Sequence, residues 1–337
     1  MASYFDRVIA VDWHGMGLSS RTEKPITRLS MFHVFCKQDN EKVLDVARTV
    51  TNEFIDSLEQ FRIAADLPRF VLAGHSLGGF LSAKYALKYP NHLEALILIS
   101  PAGVPQPPSK EDLVDPANLD WKYKLIDNMW KMNFTPQNIV RVLGPKGPEV
   151  VTNMLNKRFS SRWSGEDLAV ISDYFYHVTA APGSGEYALN ALLEPKIVKP
   201  LPKEEEAAAV ASGRPRTGVY AREPLEQDLC RLTVPVLVMF GDHDWLAYPG
   251  VDKSIALWRK NGVKSDHVVI PQAGHHLYND NSPVFNNAII DWTKRSAYLS
   301  EDSIATDRNG ARVASKHHHH QQQQSHKKNN LIDNIYG

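Results

Sequence analysis

A mostly parallel, doubly wound α/β sheet carrying an inserted helical cap is the fold class that this sequence predicts. Three observations carry it: short apolar runs bounded by turn residues, helix-period segments between them, and one long central stretch that breaks the alternation. Apolar runs at residues 7–12, 69–74, 94–100, 235–241 and 266–270 read as buried parallel strands, because they are short and punctuated by Gly, Pro, Asn and Asp. Segments 41–65, 76–89, 251–261 and 284–296 repeat apolar residues with helical period, so each predicts a helix covering one sheet face. Residues 105–231 hold Trp121, Trp130 and Trp163, several Pro-Gly signals and helical patterns but no convincing strand, which predicts the cap.

The expected organisation is a first core part at 1–104, the cap at 105–231, a second core part at 232–299 and a disordered low-complexity tail at 300–337. Within the cap, residues 199–217 combine Lys203-Glu204-Glu205-Glu206 with Gly213-Arg214-Pro215-Arg216 and predict a mobile loop. The tail sets His317 to His320 beside Gln321 to Gln324; without fixed geometry or a second shell of partners it predicts no metal site.

Composition narrows the function classes. The 337 residues are 43% apolar and 23% charged, with 38 acidic and 38 basic side chains, so no electrostatic footprint for nucleic acid exists. No apolar run is long enough to span a bilayer, which leaves peripheral contact with a membrane or lipid droplet. Cys36 and Cys230 are too few for a disulfide framework and no secretory signal opens the chain, so an intracellular monomer is expected.

The chemistry concentrates where residues 69–74 run into Gly74-His75-Ser76-Leu77-Gly78-Gly79 and then into a helical stretch. That strand, turn and helix context is what a G-x-S-x-G nucleophile elbow requires. Glycines at 74 and 78 let the sharp turn pass close to neighbouring backbone, and the turn lifts the Ser76 hydroxyl above the sheet edge. The Leu77 amide, opening the helix, is the expected oxyanion donor.

A serine hydroxyl needs a histidine base, and the imidazole needs a carboxylate to hold its tautomer. The predicted strand 235–241 ends in Gly241-Asp242-His243-Asp244, where Asp244 is preferred as the acid and Asp242 stays open. After the next strand comes Pro271-Gln-Ala-Gly-His275-His276, in the loop where the base belongs. His275 is preferred, with His276 as the alternative; His14, His33, His92, His177, His243 and His267 follow no suitable strand.

With these residues in hand, residues 3–296 resemble the lipid-acting α/β-hydrolases: N-acyl-phospholipid lipases, a mitochondrial cardiolipin deacylase, soluble lysophosphatidic acid acyltransferases and the lipid-droplet coactivator of triacylglycerol lipase. The similarity rests on Val8-Ile-Ala-Val-Asp12 with Gly15-Met-Gly17-Leu-Ser-Ser-Arg21, on Phe54-Ile-Asp-Ser-Leu58 and on the elbow followed by Lys84-Tyr-Ala-Leu-Lys-Tyr-Pro90. Ala180-Ala-Pro-Gly-Ser-Gly-Glu-Tyr-Ala-Leu-Asn190 and His275-His-Leu-Tyr-Asn-Asp280 add to it. The resemblance implies a Ser-His-Asp acyl hydrolase of the phospholipase or lipase type, with acyl transfer to a lysophospholipid acceptor associated with the His-x4-Asp pattern. It implies no cofactor, gives Asp280 a structural role, and places the protein in the cytoplasm, on lipid droplets or in mitochondria. Trp130, Met132 and Phe134 are candidate walls of an acyl pocket, or core.

The alternative class is a non-catalytic lipid-binding partner or lipase coactivator; the vertebrate coactivator resembled here carries another residue at the Ser76 position, and this chain keeps the serine. Epoxide hydrolases need an aspartate there. Two departures stand out. The resembled fold takes its second oxyanion amide from an earlier His-Gly loop, with two strands before that, yet only six residues precede the first predicted strand. His14-Gly15 lies one strand too late, so the sheet is expected to lack its first strands and the chain to be N-terminally incomplete, exposing an edge at residues 8–11. The family's Trp-rich, lipid-droplet-targeting leader is not recognised either. Residues 22–40 exceed what the family needs and read equally as a loop, a lipid-touching flap or unspliced sequence.

Overall fold

The computed structural model describes residues 4–21, 27, 29, 40–159, 163, 165–202, 204–205 and 217–299. The chain divides into two compact units, Met1–Ile290 and Asp291–Gly337. The second contributes the end of helix Ser282–Leu299 to the described residues. The tail 300–337, most of segment 22–40 and most of loop 199–217 lie outside them.

Four strands form the main sheet of the first unit: β1 (Phe70–His75), β2 (Leu93–Ile99), β5 (Val236–Gly241) and β6 (Ser265–Ile270), side by side in that order. Every pair is parallel. β5 is buried at every position and β2 at all but one, as expected of central strands covered on both faces, while outer β1 and β6 are each half-buried at three positions and exposed at one. The predicted strands 69–74, 94–100, 235–241 and 266–270 match to within a residue or so, because continuous β-branched and aliphatic runs have no other way to lose their surface.

Helix Asn40–Ala64 buries Ala47, Val50, Thr51, Phe54, Ile55 and Leu58, a single stripe at three- and four-residue spacing. Helices Leu77–Lys88 and Val251–Lys260 supply Phe80, Leu81, Tyr85, Ile255 and Trp258 to the same core cluster. Register sets the strand ends level: His75 pairs with Ile99, Ile99 with Met239, and Gly241 with Ile270. The turns after all four strands therefore open at one edge, where doubly wound sheets carry their ligands.

Two expectations fail. Residues 7–12 form no strand, and Val8, Ile9 and Val11 are exposed. A strand exists only through a ladder, and among the described residues β1 pairs with β2 alone. The segment is instead organised by its turn: the Leu18 amide donates to Asp12 Oδ2 at 2.9 Å, Trp13 meets Phe54 edge-on at 6.2 Å, and Gly185 N donates to Gly15 O at 3.0 Å. There is no sheet edge at residues 8–11 to expose.

The second correction falls between β2 and β5. Helices Trp121–Lys131, Pro136–Leu143, Gly147–Phe159, Gly165–Ala180 and Ala188–Leu192 occupy this region, but β3 (Leu193–Lys196) and β4 (Gly218–Ala221) also pair there, antiparallel. Four residues each are too short to display a period, so only their pairing reveals them. Val140, Val151, Leu155, Phe159 and Leu168 form a separate small core among these helices.

Candidate functional site

β1 delivers Ser76 into the turn at φ 56° and ψ −120°, a conformation that L residues rarely adopt and that stores about 1–3 kcal/mol of strain. Neighbouring backbone holds it there: Ser76 N donates to Ile99 O at 2.9 Å and Ala102 N to Ser76 O at 3.0 Å. A Cβ on Gly74 would strike Gly78 O and the Ser82 hydroxyl, and one on Gly78 would stand 3.0 Å from the Trp13 indole nitrogen. Gly74 is thus required by the close return of the helix over β1, while Gly78 makes room for the Trp13 side chain.

Ser76 Oγ lies 3.1 Å from His275 Nε2, and His275 Nδ1 lies 3.1 Å from Asp244 Oδ1. A carboxylate only accepts, so Nδ1–H donates to Asp244 and the Nε2 lone pair faces the serine hydroxyl. Asp244 and His275 are buried. Burial pushes the Asp244 carboxyl up, but donors from His275, Ser100 and the Leu246 amide outweigh it and hold the group below the usual carboxylate range. Oδ1 also accepts the Leu246 N–H at 2.9 Å, and Oδ2 takes the Ser100 hydroxyl.

Asp242, the other acid considered, does different work. Its two oxygens accept the Ala273 and Gln272 amides, each at 2.9 Å, which fasten the loop after β6 and lower its pKa. Asp280 Oδ2 receives the Gly274 amide at 2.8 Å. Gly241 completes the clamp, since a Cβ there would strike the carbonyls of Ala273 and Gly274. Three positions around the β5 and β6 turns thereby aim one histidine.

His276 packs its ring on Phe159 and Tyr278, with interplanar angles of 9° and 21°, and no hydrogen bond to Ser76 or Asp244 joins it to the other site residues. His75 Nε2 donates to His275 O at 2.8 Å; burial first, then the neighbouring His275 charge, lowers its pKa to about 4 and keeps it a neutral donor. One ring nitrogen from each of His75, His275 and His276 lies within 4.8 Å of the other two. They form a poor metal cradle, because both nitrogens of His275 and Nε2 of His75 are already engaged.

Ser100 and Trp245 were not recognised from sequence. Ser100 is the first residue after β2, at φ 42°, and the Trp245 ring lies 5.0 Å from that of His275. The available signal was position: both follow strands at the edge that carries Ser76. Trp245 also lines a cavity of about 240 Å³ with Pro101, Val219, Tyr220, Leu246 and Ala247. None of the expected pocket residues is among its walls: Trp130 packs against the main core and donates to Leu193 O at 3.3 Å, while Met132 and Phe134 are exposed.

Comparison with known proteins bears on the fold and the family. The profile of the alpha/beta hydrolase fold matches residues 6–140. A probable 1-acylglycerol-3-phosphate O-acyltransferase of Oryza sativa subsp. japonica is 33% identical over 308 residues, covering 90% of this chain and 63% of that protein. The 1-acylglycerol-3-phosphate O-acyltransferase of Arabidopsis thaliana is 32% identical with the same coverage of 90% and 63%. A (lyso)-N-acylphosphatidylethanolamine lipase of Bos taurus is 30% identical, covering 71% of this chain and 62% of the lipase. The chain thus spans somewhat under two thirds of the length of these relatives.

Proposed function

We propose, for a chain that belongs to the α/β-hydrolase family of lipid acyl hydrolases and acyltransferases, that Ser76, His275 and Asp244 transfer the acyl group of a phospholipid or glycerolipid ester. The observation that carries the reading is the single hydrogen-bonded line from Ser76 Oγ through His275 to Asp244, at 3.1 Å for each step. As Oγ attacks the ester carbonyl, His275 Nε2 takes its proton and the Asp244 carboxylate stabilises the imidazolium. The leaving alcohol receives that proton and an acyl-enzyme remains.

The Leu77 amide opens helix Leu77–Lys88, where N–H groups have no intrahelical acceptor, and it donates to the oxyanion. Water, or the hydroxyl of a lysophospholipid, then attacks the acyl-enzyme with His275 as base. The cavity beside Trp245, with mixed polar and apolar walls, is where the ester substrate is expected to sit. The substrate class comes from the relatives, two named as 1-acylglycerol-3-phosphate acyltransferases and one as an N-acylphosphatidylethanolamine lipase.

Fluorophosphonate labelling of the wild type and of Ser76→Ala tests the nucleophile, with labelling expected only in the former. Products from phospholipid, with and without lysophosphatidic acid as acceptor, then separate hydrolysis from transfer. Absence of Ser76-dependent labelling overturns the enzymatic reading.

A further inference from the structure

We propose that His75, the residue before the nucleophile, positions the base: its imidazole N–H holds the main chain of His275 and so sets the gap that a proton crosses from Ser76. The inference deepens the acyl-transfer reading above and rests on it. One hydrogen bond carries it, from His75 Nε2 to His275 O at 2.8 Å. A carbonyl only accepts, so Nε2 bears the hydrogen. Among the described residues no other donor reaches this carbonyl.

The other holds on the base come from elsewhere. Asp242 takes the Gln272 and Ala273 amides, Asp280 takes the Gly274 amide, and His243 N donates to Ala273 O at 3.0 Å. All three fasten the stem of the loop before His275. Asp244 then fixes the ring through Nδ1 at 3.1 Å. None of these groups belongs to β1 or its turn, so none of them ties the base to the nucleophile. His75 does. It is the last residue of β1, pairs with Ile99, and is followed directly by Ser76. Two neighbouring residues of one strained turn therefore meet the same histidine, His75 at its carbonyl and Ser76 at Nε2, 3.1 Å from Oγ.

The His75 ring has a firm seat. Its centre lies 4.6 Å from that of His275 and 5.3 Å from that of His276, and Tyr278 meets it edge-on at 5.2 Å. Burial, then the His275 charge, keeps it neutral down to a pH of about 4, so no second positive charge opposes the imidazolium that forms when His275 takes the proton. The G-x-S-x-G pattern leaves this position open, which is why the motif alone gives His75 no role.

The test compares two variants. His75→Leu removes the donor at similar bulk, and His75→Gln keeps an N–H as many bonds from the backbone as Nε2. Misplacing a reacting group by about 1 Å costs about 10²-fold, so His75→Leu should slow fluorophosphonate labelling of Ser76 and lower kcat on a soluble aryl ester by about that factor, with KM within about twofold. His75→Gln should stay within about fivefold of wild type. On a His275→Ala background, His75→Leu should change the residual turnover by less than about threefold, because its effect passes through the base. A crystal structure of His75→Leu should show His275 Nε2 withdrawn from Ser76 Oγ by about 1 Å. A leucine variant as fast as the glutamine variant overturns the proposal, since the ring then only fills space. So does a loss that persists without His275, or a His275 that has not moved. If wild type takes no label, the enzymatic reading fails, and the position of His275 in His75→Leu still decides whether His75 holds it.

Discussion

Asp244→Asn separates the charge of the acid from its geometry. Asp244 Oδ1 accepts two fixed donors, the Leu246 amide at 2.9 Å and His275 Nδ1 at 3.1 Å. An asparagine could turn its NH2 toward them only by setting donors against donors, at a penalty of about 1–3 kcal/mol for the unmet groups. The amide oxygen therefore takes the Oδ1 position and the NH2 meets Ser100, whose hydroxyl rotates to accept. The His275 tautomer survives and only the carboxylate charge is lost. Two unit charges about 4 Å apart in a partly screened protein interior attract by about 4 kcal/mol, which corresponds to roughly a 10³-fold loss of rate. A reversed amide, which would force the proton onto Nε2, would approach the loss of about 10⁴ known for serine-protease triads. Asp244→Ala, which leaves Nδ1 without an acceptor, should fall below Asp244→Asn. The assay is the second-order rate of fluorophosphonate labelling at neutral pH, with melting temperature as a control for folding. A loss of less than about tenfold in Asp244→Asn, or an alanine variant faster than the asparagine variant, refutes the reasoning.

His75 makes stability depend on pH. Its pKa falls from 6.5 to about 4 on folding, so between those values the unfolded chain binds a proton that the native chain does not. Stability is therefore whole above pH 6.5 and lost as pH falls toward 4, by about 3 kcal/mol at most. In urea titrations across this window His75→Gln should flatten much of the slope, leaving the part due to His276, whose pKa burial also lowers. An unchanged slope would reject the assignment. Gly241→Ala should push the Ala273 and Gly274 carbonyls outward and His275 with them. Labelling is expected to slow about 10²-fold or more while unfolding free energy drops by about 1–3 kcal/mol; a labelling rate unaffected by the change would show that the close approach does not position the base.

Much of this protein was legible because its signals are local. The apolar runs that became β1, β2, β5 and β6, the stripe of helix Asn40–Ala64 and the Gly74 to Gly78 turn each carry their instruction within a few consecutive residues. The order Ser76, then Asp244, then His275 could likewise be read along the chain. Tertiary structure alone decided the rest. It sent Asp244 to His275 and Asp242 to the amides of the β6 loop, although both acids follow the same strand. It packed His276 on Phe159, added Ser100 and Trp245 to the site, paired the short β3 and β4, and left residues 7–12 without a ladder. The reason is the same throughout. Residue type and spacing specify which face of an element is apolar, but a carboxylate, an imidazole or a strand edge acquires its role from the partner that folding brings within about 3 Å, and those partners lie far away in sequence.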